Sequence, residues 1–561
     1  MDTRWVLIEN QHIIHDLPGL PTPIRSLLVS RGISSLEELQ LFLHPPHKLP
    51  YDPLKLHGMD EALRRIYLTL KLEQAIGVFG DFDVDGITGT AIIKEGLGTF
   101  GIPVIPYIPD RASEGHGLSK NAIEYFKKQG AVLIITVDCG VTSIEEVAYA
   151  NQLGIDVIIT DHHVPGDSLP DALAIINPRV KHSSYPFPHL SGAGLAFKLV
   201  QGLYEFIDQP WPINLLELAA MGTIADLVPL TDENRHIVSQ GLVALSQTKR
   251  PGLLALYKLA NVNPSLLTSE TVSYQLGPRI NSSGRMANAG ISLDLLTTES
   301  VDEADRLAVQ LESLNDQRRI LSTRSYETAL TKINLEGALP RVLFVTDPIF
   351  TTGVTGLVAG RLVEEFRRPA IALSETGTPD VLVASARSLP EFDMISALNN
   401  CAFLLEKFGG HSQAAGFTIR RTNLIKLMSR INELAFDVVS DHESDKIISI
   451  DAEVKLDELN QLCVDWLKTL EPWGIGNPQP LFMSRMVSIM DFRYMGYENQ
   501  HIRFTVKQGD SFWTALAFNQ RHKWSEGTQY WDLAYTIYED SWRGGKASLK
   551  LVDFRPSPEH I

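Results

Sequence analysis

Between Ile76 and Pro178 the chain alternates short, almost wholly apolar runs with amphipathic stretches. The runs are IGVFG, PVIPYIP, VLIITVD, DVIIT and AIIN, separated by segments such as NAIEYFKKQG and SIEEVAYANQLG. Strands that are apolar throughout must be covered on both faces, so the pattern predicts a parallel sheet flanked by helices. It also says where chemistry gathers, because ligands of open α/β sheets collect outside the carboxyl ends of the strands. Three of these strand ends are acidic.

The first is Gly80-Asp-Phe-Asp-Val-Asp-Gly86, which follows IGVF directly. Asp81, Asp83 and Asp85 alternate, and an extended backbone would point all three to one side. Three like charges on one face repel strongly unless a cation holds them. A calcium loop of the EF-hand type also opens DxDxDG, but it needs glutamate at its twelfth position. Counted from Asp81 that position is Ile92, and a strand precedes the motif, which excludes the EF-hand. A solvated acidic turn is the bland alternative. The second strand end places Asp138 after VLIITV, and the third places Asp161, His162 and His163 after DVIIT. A lone aspartate there is usually a helix cap; five carboxylates and two imidazoles at three neighbouring strand ends are not a coincidence of caps. A fourth segment, MGTIADLVPL, sets Asp226 in apolar surroundings, where a buried carboxylate needs a partner. Carboxylates with one or two imidazoles and no thiolate suit Mn²⁺ or Mg²⁺. The set is large enough for two ions with a bridging carboxylate, an arrangement that hydrolyses phosphoesters.

The chain has 561 residues, enough for about three or four domains. With 44% hydrophobic and 21% charged residues it is neither disordered nor fibrous. No apolar run reaches the roughly 18 to 20 residues that span a bilayer, so no membrane association is expected. MDTRWVLIEN is charged where a secretory signal would be apolar. Cys139, Cys401 and Cys463 form no CxxC pair and fit a reducing cytoplasm. The net charge of -17 argues against a small basic nucleic-acid module, although a local basic groove can sit on an acidic body. There is no GxxxxGK[ST], and GAG at 192–194 continues with Leu-Ala-Phe, so no nucleotide cofactor is expected. Val301–Leu335 has helical apolar spacing and suggests a connecting helix. A second alternating unit starts at RVLFVT, and short alternating strands from about 448 to 556 read as a small all-β barrel or sandwich. That tail interleaves Trp513, Phe518, Tyr530, Trp531, Tyr535, Tyr538 and Trp542 with Arg503, Lys507, Arg521, Lys523 and Arg543. Such a mixture either fills a barrel or stacks bases over a cationic groove.

GDFDVDG, TVDCG, TDHH and GTIADLVPL resemble the four motifs of the DHH phosphoesterase superfamily, and FGGHSQAAGF (408–417) resembles the glycine-rich signature of its companion domain. GPRINSSGRMANA (277–289), LNDQRR, ASARS (384–388) and EPWGIGNPQPLF (471–482), with RWVL and FLHPPHKLPYDPLKLHGMDEA, are similar to the RecJ family of single-strand-specific DNA exonucleases. The resemblance covers essentially the whole chain. It implies an α/β fold: an N-terminal segment (1–70) packing on the core, a parallel-sheet DHH catalytic domain (71–298), a connecting helix (299–338), an α/β DHHA1 domain (339–440) and a C-terminal all-β OB-fold (446–561). The implied function is metal-dependent 5′→3′ hydrolysis of single-stranded DNA in repair and recombination, in the cytoplasm. The alternatives are a DHH phosphodiesterase for short oligonucleotides or cyclic dinucleotides, and a non-catalytic replication scaffold, which would have lost ligands. Implied partners are single-stranded DNA, a single-strand-binding protein and helicases.

By motif match, Asp83, Asp85, Asp138, His162 and Asp226 hold two Mn²⁺ or Mg²⁺ ions, Asp138 bridges them, and Asp81 and His163 are ligands or lie just behind. Phe79 stands where some relatives carry histidine, and His116 where tyrosine is expected. Arg279 and Arg285 flank Asn281 in what reads as a Ser/Gly-rich loop, and Arg offers a planar fork for phosphate oxygens. Arg279 is also a candidate catalytic residue. Gly409 and Gly410 let backbone approach a phosphate to which His411 can donate. Arg111, Ser385 and Arg387 resemble the family's pocket for a terminal 5′ phosphate.

Overall fold

The computed structural model describes residues 3–8, 19–43, 50–111, 113–333, 339–439, 447–496, 498–540 and 546–558. Trp542, Arg543 and the His44–Leu49 part of the N-terminal motif lie outside them. The chain forms two compact units. One comprises residues 1–50, 229–232 and 445–561; the other comprises 51–228 and 233–444. No helix among the described residues is long and apolar enough to cross a membrane.

The smaller unit begins with β1 (Arg4–Leu7). The larger unit is built on five parallel strands: β2 (Ala75–Gly80), β3 (Val104–Tyr107), β4 (Ala131–Val137), β5 (Asp156–Thr160) and β6 (Ala174–Ile176), in the order β3-β2-β4-β5-β6. The apolar runs of the sequence are these strands. One face packs Phe79, Ile134, Val157 and Ile159 against Ile123, Phe126 and Val147 of the crossover helices. The other face receives the Val84–Gly98 helix, which is buried nearly all round. Gly89 permits that approach, since a β-carbon there would lie 2.5 Å from Val137 Cγ1. Behind it stand two more apolar helices, Gly192–Phe206 and Leu215–Ala225.

The long amphipathic stretch is one helix, Val301–Lys332, capped by Ser300, whose Oγ accepts from Glu303 N–H. It leads to a second sheet with β7 (Leu343–Thr346), β8 (Ala370–Glu375), β9 (Val381–Arg387), β10 (Leu405–Gly410) and β11 (Ala414–Arg420), ordered β10-β11-β9-β8-β7. Only β7 and β8 pair in parallel; hairpin-type neighbours make the rest antiparallel.

In the smaller unit, β12 (Ile447–Ile450) pairs with β1 in parallel, and β13 (Ala452–Glu453) leads through the helix Gln461–Thr469 into the barrel. The barrel strands are β14 (Phe482–Met495), β15 (His501–Gln508), β16 (Ser511–Ala517), β17 (Trp531–Asp540) and β18 (Lys546–Pro556). Pairing of β14 with both β15 and β17 closes it. Trp531 and Tyr535 fill its centre with Phe482, Phe504 and Phe554, whereas Phe518 and Tyr530 are exposed.

One expectation needs correction. Residues 1–70 divide between the two units. Ile24, Leu27, Leu28 and Leu39, from the helices Thr22–Ser30 and Leu36–Leu43, join the hydrophobic core of the barrel. Only from residue 51 does the chain belong to the larger unit. A small barrel leaves apolar surface at its ends, and two short amphipathic helices that cannot bury themselves supply the cover.

Candidate metal centre

Strand register assembles the site. Gly80 pairs with Val137, Val137 with Thr160, and Thr160 with Ile176. The next residue of each chain segment, Asp81, Asp138, Asp161 and Asn177, therefore leaves the sheet at one level. Asp138 does so at φ 61°, a left-handed conformation that aspartate tolerates better than most residues, and its N–H donates to Thr160 O at 3.0 Å.

The three aspartates of GDFDVDG do not alternate along extended backbone, contrary to expectation. Asp81 follows β2, but Asp83 is the N-cap of the Val84–Gly98 helix, its Oδ1 accepting from the N–H groups of Asp85 (3.0 Å) and Gly86 (3.1 Å). Asp85 lies in the first helical turn, which favours a negative charge. Its carboxylate accepts from the N–H groups of Gly192 (2.6 Å) and Ala193 (2.9 Å) at the start of another helix. A helix cap, not strand alternation, turns all three towards one place.

Among the described residues three candidate ligand groups result: Asp81, Asp83 and Asp138; Asp85, His162 and Asp226; and Asp138, His162 and His163. Within each, one donor atom per residue lies within 4.8 Å of the others. Asp138 and His162 each belong to two groups; a carboxylate such as Asp138 can be shared by two neighbouring ions, whereas the neutral imidazole of His162 can bind one. His162 Nε2 is 3.1 Å from Asp138 Oδ1 and 3.6 Å from Asp226 Oδ2. Yet Asp81 Oδ1, Asp138 Oδ1, Asp226 Oδ2 and both nitrogens of His162 are buried without a hydrogen bond. Buried polar atoms in native proteins nearly always have partners, and divalent cations fit these.

Protonation gives the same answer. Burial and the charge of Asp83 push Asp85 up to about 7. Burial, then neighbouring aspartates, hold Asp138 and Asp226 well above the usual carboxylate range. Burial pulls His162 down to about 3, leaving it a neutral ligand. The cluster must take up protons or cations. Behind it, Asp161 Oδ1 accepts from His163 Nδ1 at 2.7 Å and from His163 N–H at 3.0 Å, and Oδ2 accepts from Val141 N–H at 2.9 Å. Asn177 Nδ2 donates to His163 O at 2.9 Å.

Beside the cluster three guanidiniums crowd together. Arg285 is brought down to about 9, by burial and then by Arg111, Arg318 and Arg387, and Arg387 is lowered by burial and by Arg111. Asp81 and Asp83 attract Arg111, and Asp83 attracts Arg285, but among the described residues no carboxylate forms an ion pair with Arg111, Arg285 or Arg387. Arg387 ends β9 and overlies the first turn of the Thr352–Phe366 helix, where a β-carbon on Gly356 would lie 3.1 Å from its Nη2. Ser385 Oγ is 3.0 Å from Thr355 Oγ1. Half-buried cations, two hydroxyls and a helix N-terminus are groups of the kind that pair with anions.

The remaining candidates divide. GPRINSSGRM is a helix, Gly277–Met286, not a loop. Its Asn281 Oδ1 accepts from Val84 N–H at 3.1 Å, so it braces the first acidic motif. Arg279 is turned away: Nε and Nη2 grip Glu312, the latter at 3.0 Å, and Nη1 donates to Gln275 O. Gly410, at φ 137°, serves the β10–β11 turn, where a β-carbon would meet Ala414 O at 2.4 Å; Gly409 faces open space. His411 does reach the centre, its ring stacked on that of His163 at 5.8 Å and 6°. His116 Nδ1 is 3.3 Å from Asp81 Oδ2.

Sequence reasoning missed the supports. Asn177, Thr355 and the Gly192 and Ala193 N–H groups carry no motif, and Gly222, although it opens the GTIADLVPL motif, gives no sign in the sequence of what it touches. A β-carbon on Gly222 would lie 2.5 Å from Asp85 Oδ1 and 2.4 Å from Ala193 Cβ. Overpacking there costs about 1–3 kcal/mol and moves Asp85. Gly222→Ala is therefore expected to raise the Mn²⁺ concentration that half-saturates the thermal stabilisation about tenfold or more. An unchanged midpoint would mean that Asp85 does not depend on this contact.

Comparison with known proteins agrees with the architecture. Residues 75–223 match the model of the DHH family, N-terminal domain, 340–436 the DHHA1 domain and 450–553 the RecJ OB domain. The chain is 37% identical over 497 residues to a single-stranded-DNA-specific exonuclease RecJ of Bacillus subtilis, matching 89% of this chain and 63% of that protein, so it spans under two thirds of that relative. It is 34% identical to the RecJ of Salmonella typhimurium over 96% of both chains. Among solved structures, RecJ in complex with Mn²⁺ from Thermus thermophilus superposes with a TM-score of 0.84 at 28% identity, covering 100% of this chain and 80% of that one.

Proposed function

The chain belongs to the RecJ family of single-stranded-DNA-specific exonucleases, and from that membership we propose that it removes nucleotides from the 5′ end of single-stranded DNA, using two Mn²⁺ or Mg²⁺ ions, in DNA repair and recombination. The observation that carries this reading is the pair of candidate ligand groups meeting at Asp138 beside a cluster of arginines. Asp81, Asp83, Asp85, Asp138, His162 and Asp226 would hold the ions, with His163 adjoining. When bound, the ions supply Lewis-acid stabilisation of phosphoryl charge and activate water for attack.

The chain's own groups do the rest. Asp161 holds the proton on His163 Nδ1 and so fixes the ring. His411, stacked on that ring, lines the same space. Arg111, Arg285 and Arg387 with Ser385 read the strand end: a terminal phosphate monoester carries more charge and more free oxygens than an internal diester, and guanidinium forks distinguish the two. The OB unit favours a polymer over a cyclic dinucleotide as substrate. Its Arg503, Phe512, Trp513 and Lys546 line a groove of about 700 Å³, suited to stacking bases along a charged backbone. The reading implies action in the cytoplasm with a single-strand-binding protein and helicases as partners.

The test is digestion of end-labelled strands with Mn²⁺ or Mg²⁺. Labelled mononucleotide should appear first from a 5′-labelled single strand, not from blunt duplex, and a chelator should stop it. Early release of a 3′ label would overturn the polarity, and equal attack on duplex the substrate. Phe512 is 59% exposed, so Phe512→Ala should leave the barrel folded. Losing one stacked base is expected to weaken binding of a long strand by about 1–3 kcal/mol while sparing short oligonucleotides. Equal affinity for the long strand in a fluorescence titration would exclude Phe512 from the path.

A further inference from the structure

Phe82 lies between two of the acidic ligands, Asp81 and Asp83, yet the chemistry above makes no use of it. It is 2% exposed, and its ring bears two side chains from one loop. The Arg111 guanidinium sits 4.8 Å from the ring centroid, and the His116 ring sits 4.3 Å from it at 51°. The loop is tied at both ends by Glu114. Its Oε1 accepts from Asp110 N–H at 2.9 Å, and its Oε2 from Tyr107 Oη at 2.9 Å and Ser119 Oγ at 3.1 Å. The backbone of Phe82 lies against the helix Gly277–Met286, so closely that a β-carbon on Gly284 would meet Phe82 O at 2.6 Å.

We propose that Phe82 is a positioning residue for strand-end selection: its ring holds Arg111 at a fixed distance from the metal ligands on either side of it. The inference rests on the reading of Arg111 as an end-binding cation. A long arginine side chain loses much freedom when it is held; Asp81 and Asp83 attract Arg111, but among the described residues no carboxylate forms an ion pair that would fix it. The face of a buried aromatic ring attracts a guanidinium without neutralising it. The cation stays available to a phosphate, and its distance from the cluster is set through one residue of backbone. A carboxylate in place of the ring would compete with the phosphate.

The experiment compares strands bearing a 5′ phosphate or a 5′ hydroxyl, in full-length wild type, Phe82→Leu, Phe82→Tyr, Glu114→Gln and Arg111→Ala. Phe82→Leu keeps apolar bulk without a ring, and KM for the phosphorylated strand should rise roughly tenfold, several times more than KM for the hydroxyl strand. Phe82→Tyr should restore most of the difference. Glu114→Gln loosens the same loop from a distance and should show the same KM-selective loss, which keeps the test open if Phe82→Leu does not fold. Equal losses of kcat on both strands in Phe82→Leu would mean that the ring only supports the ligands, and would overturn the proposal. Preference lost in Arg111→Ala but kept in Phe82→Leu and Glu114→Gln would overturn it while sparing the end-pocket reading. Preference kept in Arg111→Ala would remove that reading and the proposal together.

Discussion

Asp138→Ala is expected to reduce hydrolysis of single-stranded DNA by a thousandfold or more, about 4 kcal/mol of transition-state stabilisation. Asp138 belongs to two of the three ligand groups, so its loss weakens both ion positions at once. The same change should not weaken the metal-free fold through lost contacts, because Asp138 Oδ1 has no hydrogen bond and its carboxylate is held well above the usual range by burial and by four neighbouring aspartates. Removing an unsatisfied buried acid relieves strain. Its φ of 61° sets a small opposing cost for alanine, which Asp138→Asn avoids. Both variants should unfold at about the wild-type temperature without metal, and both should lose the stabilisation that Mn²⁺ gives the wild type. Near-normal turnover, or undiminished stabilisation by Mn²⁺, would exclude a shared ligand at this position.

Arg387→Ala should lower the preference for 5′-phosphorylated over 5′-hydroxyl strands by roughly ten- to a hundredfold, the equivalent of one charge-assisted contact of about 1.5–3 kcal/mol. Arg387 sits among like charges: its own proton affinity falls by burial and by Arg111, and it helps to draw Arg285 down to about 9. A surplus of buried cations is unfavourable until an anion arrives. Removing one should therefore leave the unliganded protein as stable as before, or slightly more so. It should also shrink the stabilisation that inorganic phosphate confers on the wild type. Initial rates on the two strands and a phosphate titration of the unfolding temperature measure both effects. An undiminished preference with normal rates would place end recognition elsewhere.

The candidate metal ligands were legible because chemistry and secondary structure coincide in them. Each sits within a few residues of an apolar strand or helix that local periodicity locates, and each belongs to a residue type that is costly to bury alone. The arginines were legible only as candidates. Arg285 and Arg279 lie six residues apart in one motif, yet the helix that contains them turns Arg285 towards Gly353 O and the other arginines and Arg279 onto Glu312. A loop reading could not separate them, since the separation is a matter of helical phase. The N-terminal segment misled for a related reason. Leu27, Leu28 and Leu39 mark an amphipathic face, but an apolar stripe does not name the surface that covers it.

The sequence by itself determined the parallel sheet, the long helix, the terminal barrel strands and the residue types of the metal centre, because these follow from local periodicity and from the cost of burying charge. Only the tertiary structure decided that Asp83 caps a helix, that Gly192 and Ala193 offer their N–H groups to Asp85, that Gly222 leaves room for that carboxylate, and that His411 stacks on His163. Most of these are contacts between segments tens to hundreds of residues apart. Their geometry is set by how helices and sheet pack together, and packing at a few ångströms leaves no periodic trace in the chain.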